Sequence, residues 1–198
     1  KYVKNYQILN AADLALQALV NAQVAAEMQK IIDAIKDPAT ITLDDETEIR
    51  GVKDQYDALL FLQRQLVDTT RLDAALTKIK ELRQVKIDHL AALIAQIGDV
   101  TLDDEPVVNE ARAIYDWLYM DEREQVDYTT LIAAEKALQK LQKAAAAEVD
   151  VLIEAIGDSV TYGSAGAIKA AREGYDALTE GSKRYVKLIH ILEEAEAI

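Results

Sequence analysis

Three stretches of this chain are versions of one another, and that repetition limits the possible folds more than any other property of the sequence. ITLDDETEIRGVKDQYDALL runs from Ile41 to Leu60, IGDVTLDDEPVVNEARAIYDWL from Ile97 to Leu118, and IGDSVTYGSAGAIKAAREGYDAL from Ile156 to Leu178. With Tyr56, Tyr115 and Tyr175 in register, the copies lie 59 and then 60 residues apart. A catalytic centre is needed once, whereas a stacked structural unit recurs. Imperfect copies at this period, with helical spacing inside each, indicate an array of helical units.

Each unit reads as three helices, A, B and C. Helix A carries the ladders Ile31, Ile32 and Ile35; Leu93, Ile94 and Ile97; and Leu152, Ile153 and Ile156, which share one helical face. Its stop is read at Gly98 and Gly157, and at Asp37-Pro38 in the first unit. Asp44-Asp45-Glu46, Asp103-Asp104-Glu105 and Gly163-Ser164 then fit the start of helix B, where side-chain oxygens satisfy exposed N–H groups. Pro106 suits a first helical turn.

Helix B repeats one spacing of three, four and three: Ile49, Val52, Tyr56 and Leu59; Val108, Ala111, Tyr115 and Leu118; Ile168, Ala171, Tyr175 and Leu178. This face is predicted to seal against two neighbouring helices, with the Tyr ring in the core and its hydroxyl at the rim. Lys53 and Asp57, Arg112 and Asp116, and Arg172 and Asp176 are expected to pair along the outer face, contributing about 0.3 kcal/mol each.

Helix C continues into the next helix A. No Gly or Pro interrupts Val126 to Ile156, and the apolar positions keep alternating three and four steps. Val67 to Ile97 behaves likewise, with a jump of the apolar face near Leu82 and Val85. YVKNYQILNAADLAL, from Tyr2 to Leu16, matches RYVKLIHILEEAEAI, from Arg184 to Ile198, and both read as helix C. The expected fold is all-α: tandem three-helix bundles joined by long continuous helices, an elongated array with spectrin-like architecture. Its divisions are the last helix of an upstream repeat over 1–20 and three-helix repeats over 21–85, 86–146 and 147–198. A start at Lys1, inside an amphipathic pattern, fits a piece of a longer protein, with any export signal or anchor outside it.

Composition agrees with the helical reading. Hydrophobic residues make up 51% of the chain, mostly Ala, Leu, Ile and Val, and 7 Gly with 2 Pro leave few forced helix breaks. Thirty-five acidic against 22 basic residues give a net charge of -13, which opposes nucleic acid and anionic membrane surfaces. No apolar run reaches the roughly 20 residues that span a bilayer. The absence of Cys removes disulfides, thiolate ligands and Cys nucleophiles.

Residues able to do chemistry are few. His89 beside Asp88, and His190 before Glu193, could each form a base with its orienting carboxylate. Neither His recurs among the copies, and none completes a triad or metal site. The clusters Asp44 to Glu46 and Asp103 to Glu105 could bind calcium, but they lack EF-hand spacing, and the third copy has Gly163 and Ser164 there. Gly163-Ser164-Ala165-Gly166 has no Lys to complete a phosphate loop. No catalytic residue, cofactor site or metal site is expected, and the chain reads as non-enzymatic.

The turn from helix B to helix C differs among copies: Leu60-Phe61-Leu62, Trp117 with Tyr119-Met120, and Thr179-Glu180-Gly181-Ser182. Trp117 lies about 100° from Leu118 around the helix, off the core face. Phe61, Leu62, Trp117, Tyr119 and Met120 are therefore candidate partner-binding anchors. The competing reading packs them against an adjoining unit or over a bundle end.

AIGDVTL, EARAIYDWL, AAREGYDAL and YVKNYQILNAADLAL resemble the tandem three-helix repeats of large cell-surface proteins of Gram-positive bacteria, many of them gut commensals. The resemblance covers essentially the whole chain. It implies an extracellular, cell-surface location and a role as stalk, spacer or ligand-binding unit, and some members are immunoglobulin-binding superantigens. The function expected from it is a binding module that docks a host protein, an immunoglobulin variable domain being one candidate, on helical faces of a monomeric chain. A passive stalk is the alternative, and an intracellular helical scaffold a third reading.

Overall fold

The structure, a computed structural model, describes residues 2–157 and 159–198. Among them are ten α-helices, four single-turn 3-10 segments and no strand. The helices are α1 (Tyr2–Asp33), α2 (Glu46–Asp57), α3 (Phe61–Arg64), α4 (Thr70–Gln96), α5 (Glu105–Trp117), α6 (Met120–Arg123), α7 (Tyr128–Glu154), α8 (Ala165–Asp176), α9 (Glu180–Lys183) and α10 (Ile189–Glu196). The 27 residues of α4 and of α7 make helices about 40 Å long. Among the described residues no helix is long and apolar enough to cross a membrane.

The chain divides into two compact units, one ending at Val85 and one spanning Lys86–Ile198. The first holds a core in which Met28 and Ile32 of α1, Ile49 and Val52 of α2, and Leu72, Ala75 and Ile79 of α4 interdigitate. The second holds two cores. One joins Leu90 and Ile94 of α4, Val108 and Ala111 of α5, and Leu131, Ala134 and Leu138 of α7. The other joins Val149 and Ile153 of α7, Ala171 of α8, and Leu192 and Ala195 of α10. Each fully buried Leu or Ile contributes about 1.5–3 kcal/mol by leaving water.

The ladders fall as their spacing predicts, with local differences. Ile32 and Ile153 are fully buried, but Ile31 and Leu152 lie at the rim, whereas in the second copy both Leu93 and Ile94 are buried. Gly157, three residues past the end of α7, turns the chain with φ +81, the left-handed conformation that glycine adopts without cost. Gly98, two residues past the end of α4, does not adopt this conformation: its φ is not positive. In the first copy α1 stops at Asp33, before Asp37-Pro38, and Asp37 caps a separate turn over Pro38–Thr40.

Helix B is capped one step earlier than the acidic triplets suggest. The Thr42 N–H and hydroxyl both donate to Asp45 Oδ2, and Thr101 does the same to Asp104 Oδ2. In the third copy the Thr161 N–H donates to Ser164 Oγ at 3.2 Å, so a hydroxyl does the carboxylate's work. Glu46 and Glu105, which the sequence grouped with these caps, are instead buried. Glu46 accepts from Arg50 Nε and from the buried Arg83 Nη1, both at 2.7 Å.

Candidate interaction surface

The corner between α2 and α3 presents Leu60, Phe61, Leu62 and Leu66 to solvent; Phe61 is 67% exposed. Four large apolar side chains within seven residues form a patch rather than the scattered exposure common on monomers. Its backbone is fixed from below. The Leu60 N–H donates to Gln63 Oε1 at 2.9 Å, and the Gln63 amide donates to Asn21 Oδ1 of α1 at 3.2 Å. The side chains thus project from a short helix whose base is tied to α1.

The corner between α5 and α6 carries Trp117, Tyr119 and Met120, exposed by 43%, 47% and 80%. Leu118 between them is buried, so the predicted turn of Trp117 off the core face is seen. The Tyr119 N–H donates to Glu122 Oε2 at 2.9 Å. Arg123 donates from Nε to the carbonyls of Tyr115 and Leu118, and from Nη2 to that of Asp116, closing the end of α5. Its guanidinium also lies 5.1 Å from the Tyr115 ring centroid. Tyr115 stacks on Tyr128 at 4.1 Å with the rings 7° apart, and Arg112 covers that pair. This corner is stiff where α5 ends and apolar at its tip.

The third corner differs in kind. Gly181 and Ser182 of α9 are buried, and the Gly181 N–H donates to Glu105 Oε1 at 2.8 Å across 76 residues of sequence. A Cβ on Gly181 would overlap Gln142 Nε2 and Glu105 Oε1. Burial pushes the Glu105 carboxyl up, but polar contacts from Thr179, Gln142 and the Gly181 N–H, with the Arg184 charge, hold it below its ordinary value. The sequence placed this corner on the surface with the other two. In the structure it is a polar joint inside the second unit. The sequence read Glu105 as a helix cap and gave no signal for Gln142, because the joint they form links residues far apart in the chain.

His89 pairs with Glu110 of α5 at 2.9 Å, and His190 is exposed on α10. Among the described residues no group of three or more His, Cys, Asp or Glu side chains could hold a metal ion. A groove of about 570 Å³ beside the third core is lined by Ile153, Ile156, Val160, Ile191 and Ala195, with Glu154 and Glu194 as its carboxylates. Comparison of the chain with protein-family models, with curated proteins and with solved structures finds no match.

Proposed function

We propose that the chain is a non-enzymatic binding module of a bacterial cell-surface protein, which docks a host protein on its helix B to helix C corners. An immunoglobulin variable domain is the ligand to test first. The observation that carries this reading is the pair of apolar tips, Leu60-Phe61-Leu62-Leu66 and Trp117-Tyr119-Met120, each exposed on a backbone held by side-chain hydrogen bonds. Anchors of this kind lose little conformational freedom on binding, which is the condition for a hot spot. More than one such corner in a chain also allows avidity.

The same proposal takes the three cores as tandem three-helix repeats, with α4 and α7 each serving as helix C of one repeat and helix A of the next. An extended, spectrin-like arrangement outside the cell belongs to this reading. A passive stalk is the second reading, favoured by the recurrence of one core pattern along shared helices.

The two readings part in a surface-binding assay on pooled human immunoglobulin. A binding module gives saturable binding, and Trp117→Ala or the pair Phe61→Ala and Leu62→Ala weakens it by about tenfold or more, the loss typical of hot-spot truncation. No saturable binding by the intact chain sinks the immunoglobulin reading in favour of the stalk.

A further inference from the structure

The first half of α1 carries a helix C pattern whose core face is exposed. Aligning Tyr2–Ala15 on Tyr185–Ile198 places Leu9 and Ala12 where Leu192 and Ala195 stand. The same row in α7 is Leu131, Ala134 and Leu138. Leu192 and Leu131 are fully buried, whereas Leu9 and Leu16 are 61% and 60% exposed.

A charge at one register position says what kind of partner fits. Glu135 follows Leu131 by four residues, and Glu196 follows Leu192 by four. Each accepts two hydrogen bonds from an arginine of its helix B, Arg112 of α5 and Arg172 of α8. Asp13 follows Leu9 by the same four residues, and it is the one charged residue between Asn5 and Ala26. The apolar row and its single carboxylate therefore copy the surface that α7 and α10 turn toward their helix A and B partners.

We propose that this face of α1 seats a pair of helices of the A and B kind, whose B helix carries an arginine at the place of Arg112 and Arg172. The inference deepens the repeat architecture proposed above and is independent of any host ligand. A second copy of the chain is a poorer occupant, because its own A and B pairs are already closed by Leu72, Leu131 and Leu192.

The test extends the chain by placing a second copy of residues 146–184, which includes Arg172, directly before Tyr2. Amide hydrogen exchange over residues 9–16 is then compared with that of the unextended chain. Slowing by about tenfold or more in a monomeric product, reversed in large part by Asp13→Asn or by Arg172→Gln in the added copy, is the expected result. Unchanged exchange over 9–16 in the extended chain overturns the proposal. Protection of 9–16 in an unextended chain of dimeric mass also overturns it, in favour of self-association. Residues 131–138 serve as the internal reference: if they too exchange freely, the repeat reading itself fails, whereas if they are protected only the present inference is at stake.

Discussion

Gly181 is a residue at which packing is tight, and its requirement is steric rather than conformational. Its φ is not positive, but an added methyl would meet Gln142 and Glu105 at less than van der Waals distance. Gly181→Ala forces the ends of Gln142 and Glu105 aside and disturbs the buried Gly181 N–H bond to Glu105, and is expected to cost about 1 kcal/mol in urea denaturation, the low end for overpacking. Gly51→Ala, within α2 and with open space around the new Cβ, should instead stabilise by about 0.8 kcal/mol through helix propensity. Glu46 sets a second test. Burial pushes its carboxyl up, but bonds from Arg50 and Arg83 outweigh burial and hold it below its ordinary value of 4.5. A lowered folded value means stability that is complete above about pH 4.5 and lost as pH falls through the folded value. Glu46→Gln should therefore be less stable than the parent at pH 7, and denaturant titrations should show that difference shrinking below pH 4.5. Glu105, Asp45, Asp68, Asp104 and Glu196 are lowered as well and steepen the parent's acid limb.

At the scale of helices, the pairings that matter run between elements more than along them. The expected pair Arg112 and Asp116 is present at 3.4 Å, yet Arg112 makes a bidentate contact with Glu135 of α7 and lies over the stacked Tyr115 and Tyr128. Arg172 repeats this with Glu196, whose carboxyl is held low by the guanidinium. Among the described residues Lys53 makes the short-range pair, an i,i+4 bond to Asp57 at 2.7 Å, and Leu76 occupies the position of Glu135 in α4. A double-mutant cycle on Arg112 and Glu135 should give a coupling of about 1 kcal/mol, since both side chains are more than two-thirds shielded and the geometry is two-pronged. The same cycle on Lys53 and Asp57 should give about 0.3 kcal/mol, discounted by solvent screening at this more exposed pair.

For the whole molecule, the proposed array of repeats makes a prediction that scattering can read. A compact chain of 198 residues has a radius of gyration of about 16 Å. An extended row of bundles must exceed this clearly in small-angle X-ray scattering, and a value near 16 Å would remove the extended arrangement from the proposal. The sequence by itself determined that the protein is all-α and placed many of its core residues, though Ile31 and Leu152 of the predicted ladders lie at the rim. Those facts follow from spacings of three and four residues, and a helix converts such spacings directly into one face. Val108, Ala111 and Leu118, or Leu131, Ala134 and Leu138, could be placed inside from their positions alone. The apolar corner of Trp117 and Met120 was legible for the same reason, since angular offset from Leu118 is local geometry. Tertiary structure alone decided that Glu105 closes on the Gly181 N–H, that Glu46 is buried against Arg83, and that Arg112 reaches Glu135 more firmly than Asp116. These contacts join residues 76, 37 and 23 positions apart, and no local periodicity constrains which side chain meets which at such separations. They exist because the packed helices bring those backbones together, and a carboxylate excluded from water must find a donor wherever the fold provides one.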